Sequence, residues 1–236
     1  MSEPRALSFG NAAAHYERGR PVWPVQAVDA AGVPADSYVL DLAAGTGKLT
    51  RVLVERFARV TAVEPDGAMR ALNRWGDVRA GSAGHIPLAD ASVDAVFVAE
   101  AFHWFGNKST LAEIARVLRT GGTLALMWTQ REEEFAPPID EFWERIRADE
   151  PPGRMEPGAW RAAFASARFT PLEETVVPFG HRLGREAYVS FLLSQSTIAA
   201  RTRAERFELA AELERIVPDA THVVPMRAEI HVTRRI

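Results

Sequence analysis

The sequence predicts an α/β protein, a mostly parallel sheet covered by helices on both faces, and three observations carry that prediction. Between residues 38 and 128, short apolar runs alternate with helix-patterned segments, as they do in βαβ units. The first run ends in a small-residue turn, "DLAAGTG", that leads directly into a helix pattern. The last run, residues 224–232, alternates strictly between apolar and polar side chains, which is the mark of a half-buried antiparallel strand.

Each element follows in turn. "YVLDLA" (38–43) is a short apolar run ending in a turn, as expected for a parallel strand buried on both faces. After Gly47, the residues Leu49, Val52, Leu53 and Phe57 share one helical face. "RVTAVE" (59–64) is a second strand closed by Pro65, and Asp66 has the chemistry to cap a helix over 66–75. "DVRAGS" (77–82) and "VDAVFVAE" (93–100) are the third and fourth strands. Leu111, Ile114, Ala115 and Leu118 mark a helix that Gly121-Gly122 is expected to end, before a fifth strand at "TLALMW" (123–128). Beyond it come helices over 138–150 and 157–167, a strand over 172–179, and a helical stretch over 185–216 in two pieces. No repeat, low-complexity tract or long linker interrupts the chain, so a single domain over 1–236 is expected, with an N-terminal segment (9–35), a first half (36–130) and a second half (131–236).

Composition removes whole classes of function. The chain has 236 residues, 47% hydrophobic and 25% charged, with net charge −3 and a pI near 6.1, so no general attraction to nucleic acid or anionic membrane is expected. It has no cysteine, which excludes disulfides, thiol nucleophiles and thiolate metal sites. The six histidines form no HxxxH pair, so no metal is expected. The N-terminus lacks the apolar core of a signal peptide and no run of 18 apolar residues occurs, which makes a cytoplasmic protein the expectation.

The turn decides the chemistry. A phosphate-binding loop of the form GxxxxGK[ST] would need glycine at 42 and Ser or Thr at 49, and both are leucine. A dinucleotide fingerprint would need a third glycine where Thr50 stands. S-adenosylmethionine needs neither. Its zwitterionic amino acid asks for a small-residue turn that lets backbone approach closely and for a carboxylate near its cationic end, and Asp41 with the Ala43–Gly47 turn supplies both. Glu64 ends the second strand, where a carboxylate can accept hydrogen bonds from two ribose hydroxyls.

Four stretches together, "VLDLAAGTG", "AVEPDGAM", "GSAGHIPLADASVDAVFVAEAFHWF" and "EIARVLRTGGTLALMW", resemble the class I S-adenosylmethionine-dependent methyltransferases, of the broad type that includes the quinone-biosynthesis and trans-aconitate-like enzymes. The likeness covers residues 9 to about 130 well and the last third in outline. It implies a Rossmann-like sheet of seven strands ordered 3-2-1-4-5-7-6 with the last antiparallel, helical lid insertions in the second half, and an N-terminal segment folded over the cofactor. It implies cofactor contacts for Tyr16, Arg20, Asp41, Ala43, Gly45, Gly47, Glu64, Pro65, Met69, Ser82, Ala83 and Glu100. Ala43 stands where glycine is more usual, and Ser82 where many relatives carry an aspartate for the adenine amino group. Met69 serves as adenine contact or helix core, and Arg20 either pairs with the methionine carboxylate or stacks on Trp23.

"AFHWF" (101–105) directly follows the fourth strand, and a loop rarely holds three aromatics without a pocket to line. His103 is therefore the catalytic candidate, as general base, hydrogen-bond donor or packing residue. Trp104 and Trp128, with Phe142 and Trp143, are candidates to line an apolar or aromatic acceptor site. The expected activity is methyl transfer from S-adenosylmethionine to a small-molecule acceptor by in-line displacement. An NAD(P)-dependent oxidoreductase and a non-catalytic protein that binds the cofactor remain as alternatives.

Overall fold

The computed structural model describes residues 13–132, 137–148, 158–166 and 168–236. Seven strands form one sheet: β1 (Tyr38–Leu42), β2 (Arg59–Glu64), β3 (Asp77–Ala80), β4 (Val93–Ala99), β5 (Leu118–Arg131), β6 (Glu173–Leu183) and β7 (His222–Arg234). Their order is β3-β2-β1-β4-β5-β7-β6, the order the resemblance implied. β1 pairs parallel with β2 and β4, β2 with β3, and β4 with β5. β7 runs against β5: Gly121 N bonds Arg235 O while Glu132 N bonds Pro225 O, so one chain climbs as the other falls.

Burial explains the sequence patterns. All five residues of central β1 are buried, which is why its run shows no alternation, whereas edge strand β3 has no fully buried residue. β7 alternates along most of its length, as its sequence requires.

Helices α1 (Ala13–Gly19) and α2 (Val25–Asp29) precede β1. α3 (Lys48–Arg56) and α4 (Gly67–Leu72) follow β1 and β2, and α5 (Phe102–Phe105) and α6 (Lys108–Val117) follow β4. α7 is Ile139–Ala148, a 3₁₀ segment spans Ala159–Ser166, and α8 (Arg185–Leu193), α9 (Ser196–Ala199) and α10 (Arg203–Ile216) lie between β6 and β7. Three expectations change here. The helix after Asp66 stops at Leu72 rather than 75, because Asn73 turns extended (ψ 111°) and sends its side chain inward. The region 185–216 is three pieces rather than two, since Thr202 opens α10 with a capping box in which Glu205 is the reciprocal partner. The expected 157–167 helix is a 3₁₀ segment where described; residues 157 and 167, like 149–150 at the end of the preceding helix, lie outside the described residues.

The largest difference is at Gly121-Gly122. The helix ends earlier, at Val117, and the glycines sit inside β5. The β4–β5 register advances from Val93↔Leu118 to Ala95↔Thr123, so five steps on one strand match two on the other in a bulge. A Cβ on Gly122 would lie 2.8 Å from Arg119 O and 3.0 Å from Asp94 O. Glycine is there because backbone closes on it from two sides.

The described residues group into two compact units. One comprises those within Met1–Pro21, Arg131–Arg154 and Pro178–Met226, and the other those within Val22–Gln130, Met155–Val177 and Arg227–Ile236. In the first, Phe142, Trp143 and Ile146 of α7 pack with Phe191, Leu192 and Ile198. In the second, Leu40, Leu42, Val96, Val98, Leu124 and Leu126 of the sheet pack with Leu111 and Ile114 of α6 and with Phe102 and Trp160.

Gly122→Ala should cost about 1–3 kcal/mol, the usual cost of forcing atoms into a packed interior. At this chain length that lowers the thermal midpoint by about 2–12 °C, measurable by circular dichroism. An unchanged midpoint would show that the bulge can open without strain.

Candidate functional site

The turn after β1 is built on a buried carboxylate. Asp41 lies between Ala62 of β2 and Phe97 of β4 and is 1% exposed. Its Oδ2 accepts a hydrogen bond from Thr50 Oγ1 at 2.6 Å, and Thr50 Oγ1 in turn accepts from Asn73 Nδ2 at 3.1 Å. Asp41 Oδ1 is buried and has no hydrogen-bond partner among the described residues. Burial pushes the Asp41 carboxyl up to about 7; the Thr50 bond opposes that shift and the nearby charge of Glu64 adds to it.

Beyond Asp41 the backbone turns left-handed three times, at Ala43 (φ 60°), Gly45 (φ 55°) and Gly47 (φ 89°). Glu64, at the end of β2, holds this turn. Its Oε2 accepts from Gly45 N and its Oε1 from Asp66 N, both at 2.8 Å. Burial raises the Glu64 carboxyl above its ordinary range, and those two N–H bonds work against the rise. Gly47 is glycine partly for space: a Cβ there would fall 2.3 Å from Asn73 Oδ1.

Met69 is 5% exposed on α4, whose first turn is capped by Asp66 accepting from Ala68 N and Met69 N. Its terminal methyl lies 4.0 Å from where a Cβ on Gly45 would sit, so the side chain reaches the turn. Pro65 is exposed, and its carbonyl accepts from Arg70. Ser82 and His85 exchange two backbone hydrogen bonds, 3.1 and 3.0 Å, in a tight loop that exposes Ser82 and buries Ala83.

A second cluster stands at the carboxyl ends of β4 and β5, where ligands bind in open α/β sheets. Glu100 has a left-handed backbone (φ 56°), and its Oε1 accepts from Thr129 N (2.7 Å) and Thr129 Oγ1 (2.5 Å). His103 follows on α5, which is fixed by the buried ring of Phe102 against Phe105, Trp160 and Phe164. Trp128 Nε1 donates to His103 Nδ1 at 3.0 Å, and the Trp104 ring lies 4.6 Å from the His103 ring. Trp128 is 8% exposed and stacks on Trp160 with 4.8 Å between centroids.

The structure thus gathers Asp41, Ala43, Gly45, Gly47, Glu64 and Met69 at the ends of β1 and β2, and Glu100, His103, Trp104 and Trp128 at the ends of β4 and β5. Tyr16 and Arg20 belong to the other unit. There Arg20 donates to Ser194 Oγ (2.9 Å), Ser194 O (3.2 Å) and Gln195 Oε1 (3.3 Å), and its guanidinium lies over the ring of Tyr16. Phe142 and Trp143 lie in the core of that same unit, 2% and 5% exposed. Sequence reasoning missed Thr50, Asn73, Thr129 and Trp160. Thr50 was legible only as an absent third glycine, although its hydroxyl is what meets Asp41. Among the described residues, no group of three or more His, Asp or Glu side chains could hold a metal ion. No described helix is long and apolar enough to cross a membrane.

Strand order, the left-handed turn and an acid at the end of each of the first two strands define an enzyme of the doubly wound class that binds an adenosyl cofactor. A family model described as "Methyltransferase domain" matches residues 40–126. The chain is 39% identical over 215 residues to an uncharacterised methyltransferase of Mycobacterium tuberculosis, covering 88% of this chain and 86% of that one. It is 31% identical over 182 residues to the ubiquinone/menaquinone biosynthesis C-methyltransferase of Rubrivivax gelatinosus, covering 72% and 67%. A solved structure from Anaeromyxobacter dehalogenans, assigned as a type II methyltransferase, superposes with TM-score 0.65 at 25% identity, covering 92% of this chain and 97% of that one. The chain belongs to the class I S-adenosylmethionine-dependent methyltransferases. Its cofactor is S-adenosylmethionine, and the site fits it: a buried carboxylate oxygen without a partner suits an ammonium group, and a turn with three left-handed residues brings backbone within reach of a ligand.

Two outcomes follow from this geometry. An aspartate whose carboxyl is raised in the folded state binds protons that the unfolded chain has already lost, so its stabilising contribution is complete below about pH 4 and disappears as pH rises through about 7. Asp41→Asn should remove this loss, so that unfolding free energy, parent minus variant, falls by a few kcal/mol between pH 4 and pH 8; a difference that stays flat with pH would contradict it. Ala43 in the left-handed region carries a strain of roughly 1–2 kcal/mol, of which the extra flexibility of glycine in the unfolded chain offsets roughly half. Ala43→Gly should therefore raise the thermal midpoint by about 1–4 °C, and a fall would show the turn is unstrained.

Proposed function

We propose that the protein methylates a small-molecule acceptor by in-line displacement, with the turn after β1 holding the cofactor and the β4–β5 cluster holding the acceptor. The observation that carries this reading is the second cluster. His103 accepts from Trp128 and packs against Trp104, Trp128 stacks on Trp160, and Glu100 is tied to Thr129, all beside the carboxyl ends of β4 and β5. Net charge −3 offers no general attraction to a polyanion, which favours a small acceptor over a nucleic acid.

The cofactor supplies an electrophilic methyl group on a positively charged sulfur. Asp41 Oδ1 is assigned to its ammonium group. Glu64 accepts from the two ribose hydroxyls with lone pairs beyond those that Gly45 N and Asp66 N occupy. Ala43, Gly45 and Gly47 offer backbone to the amino-acid half, and Pro65, Met69, Ser82 and Ala83 border the adenine. Glu100, braced on Thr129, bounds the cofactor on the acceptor side, and Trp104 forms a wall for the acceptor. Transfer neutralises charge, so apolar walls that exclude water favour the transition state, and most of the remaining acceleration comes from alignment.

S-adenosylhomocysteine should raise the thermal midpoint, because it keeps every contact except the methyl group. Glu64→Ala should weaken its binding by about 30- to 1,000-fold, on the basis of roughly 2–4 kcal/mol for hydrogen bonds to a charged group. The same change removes the acceptor for two backbone N–H groups, so the ligand-free variant should also melt lower than the parent. Calorimetric titration beside a melting curve measures both, and binding within threefold of the parent would sink the assignment. The acceptor class is tested by incubating the enzyme and deuteromethyl cofactor with a cell extract. The expected result is a trideuteromethyl group on a low-mass metabolite; label found only in macromolecules would overturn the reading.

A further inference from the structure

We propose that Trp128 is a positioning residue whose indole N–H fixes His103 as the Nε2–H tautomer, so that His103 meets the methyl acceptor as a hydrogen-bond donor and removes no proton from it. This rests on the reading of the β4–β5 cluster as the acceptor site, while the tautomer itself is a property of the protein alone.

The argument begins with what each ring can do. An indole nitrogen is only ever a donor. Trp128 Nε1 lies 3.0 Å from His103 Nδ1, so Nδ1 must present its lone pair, and the single proton of the neutral imidazole resides on Nε2. A proton on Nδ1 would face the indole hydrogen and break the bond. A general base working at Nε2 needs the opposite tautomer, with Nδ1 protonated and usually held by a carboxylate or carbonyl. Here a donor stands where that acceptor would be.

Trp128 cannot readily swing away. It is 8% exposed, its face stacks on Trp160 at 4.8 Å and 24°, and His231 meets it edge-on at 5.5 Å and 67°. Trp160 also contacts His231 at 5.2 Å and Phe102 at 5.9 Å. The backbone beyond Trp128 is tied down as well, since Thr129 N bonds Glu100. His103 sits on a four-residue helix anchored by fully buried Phe102. Both partners of the hydrogen bond are therefore held from outside the bond.

An Nε2–H donor selects the acceptor's chemistry. It stabilises an oxygen bearing lone pairs, and most strongly one already ionised, such as a carboxylate. An ionised acceptor balances the reaction without a base: its electron pair forms the new bond to the methyl carbon, the former carbon–sulfur pair stays on sulfur, and both charges cancel with no proton to place.

The test is NMR of the full-length protein with histidine rings labelled with ¹⁵N, the His103 signals being identified by their loss in His103→Gln. Long-range nitrogen–proton correlations report which ring nitrogen is protonated. The expected result is Nε2–H in the parent and a mixed population in Trp128→Phe, which keeps the stacked ring and loses the donor. An Nδ1–H ring in the parent, or a His103 pattern unchanged in a folded Trp128→Phe, overturns the proposal. In the extract assay, His103→Ala should lower labelling by about tenfold to a hundredfold, and His103→Gln, whose amide N–H can reach the place of Nε2–H, should recover most of it. Equal loss in both variants would also overturn the donor role. An extract that yields no labelled small molecule even with the parent counts against the acceptor reading, and the NMR result stands apart from it.

Discussion

The hydrogen bond from Gly45 N to the Glu64 carboxylate, 2.8 Å long, ties the loop after β1 to the end of β2, and the cofactor half of the molecule depends on it. It adds to the bond from Ala44 N to Val63 O, 3.1 Å, which ties the same turn to β2 through the backbone. With it, the turn lies across the carboxyl ends of two buried parallel strands, and the charge of Glu64 adds to the rise that burial imposes on the Asp41 carboxyl. Burial on this scale is unfavourable for charge, and the structure leaves the debt partly open: Asp41 has Thr50 on one oxygen and no partner among the described residues on the other. A cation is the natural partner for such an oxygen, and in the proposed function the ammonium of the zwitterionic cofactor supplies it.

The cluster at the ends of β4 and β5 is organised by a different force. Its members are aromatic, and stacking, with a few hydrogen bonds between side chains, sets their geometry. Glu100 follows β4 in a left-handed conformation that is uncommon for a non-glycine residue, and Thr129 of β5 holds it there with two hydrogen bonds. Both regions sit at the carboxyl edge of one sheet because β1, β2, β4 and β5 all run the same way.

Strands with both faces buried were legible because apolar residues dominate them; β1, β2 and β4 lie where their runs stand in the sequence. Strand order is not written in any run, and the resemblance supplied it. The Gly121-Gly122 pair misled because a glycine pair ends a helix and makes a bulge by the same conformational freedom, and only the β4–β5 register distinguishes the two. Asp41, Glu64 and the turn could be read from spacing. Thr50 and Asn73 could not, since the relay from Asn73 through Thr50 to Asp41 joins residues 23 and 9 positions apart with no local signal. The partner of His103 is likewise 25 residues distant, and a histidine's role changes entirely with whether its neighbour donates or accepts. For Phe142 and Trp143 the sequence allowed both a ligand wall and core, and their burial agrees with core.

The central claim is that Asp41 is a buried acid waiting for a positive charge. Titration calorimetry of S-adenosylhomocysteine at pH 7, repeated in buffers of different ionisation enthalpy, counts the protons exchanged on binding. Pairing with the ligand's ammonium must lower the Asp41 carboxyl from about 7, so the parent should release a substantial fraction of a proton and Asp41→Asn should release much less. Binding with no proton released by the parent, or with equal release by both proteins, would contradict it.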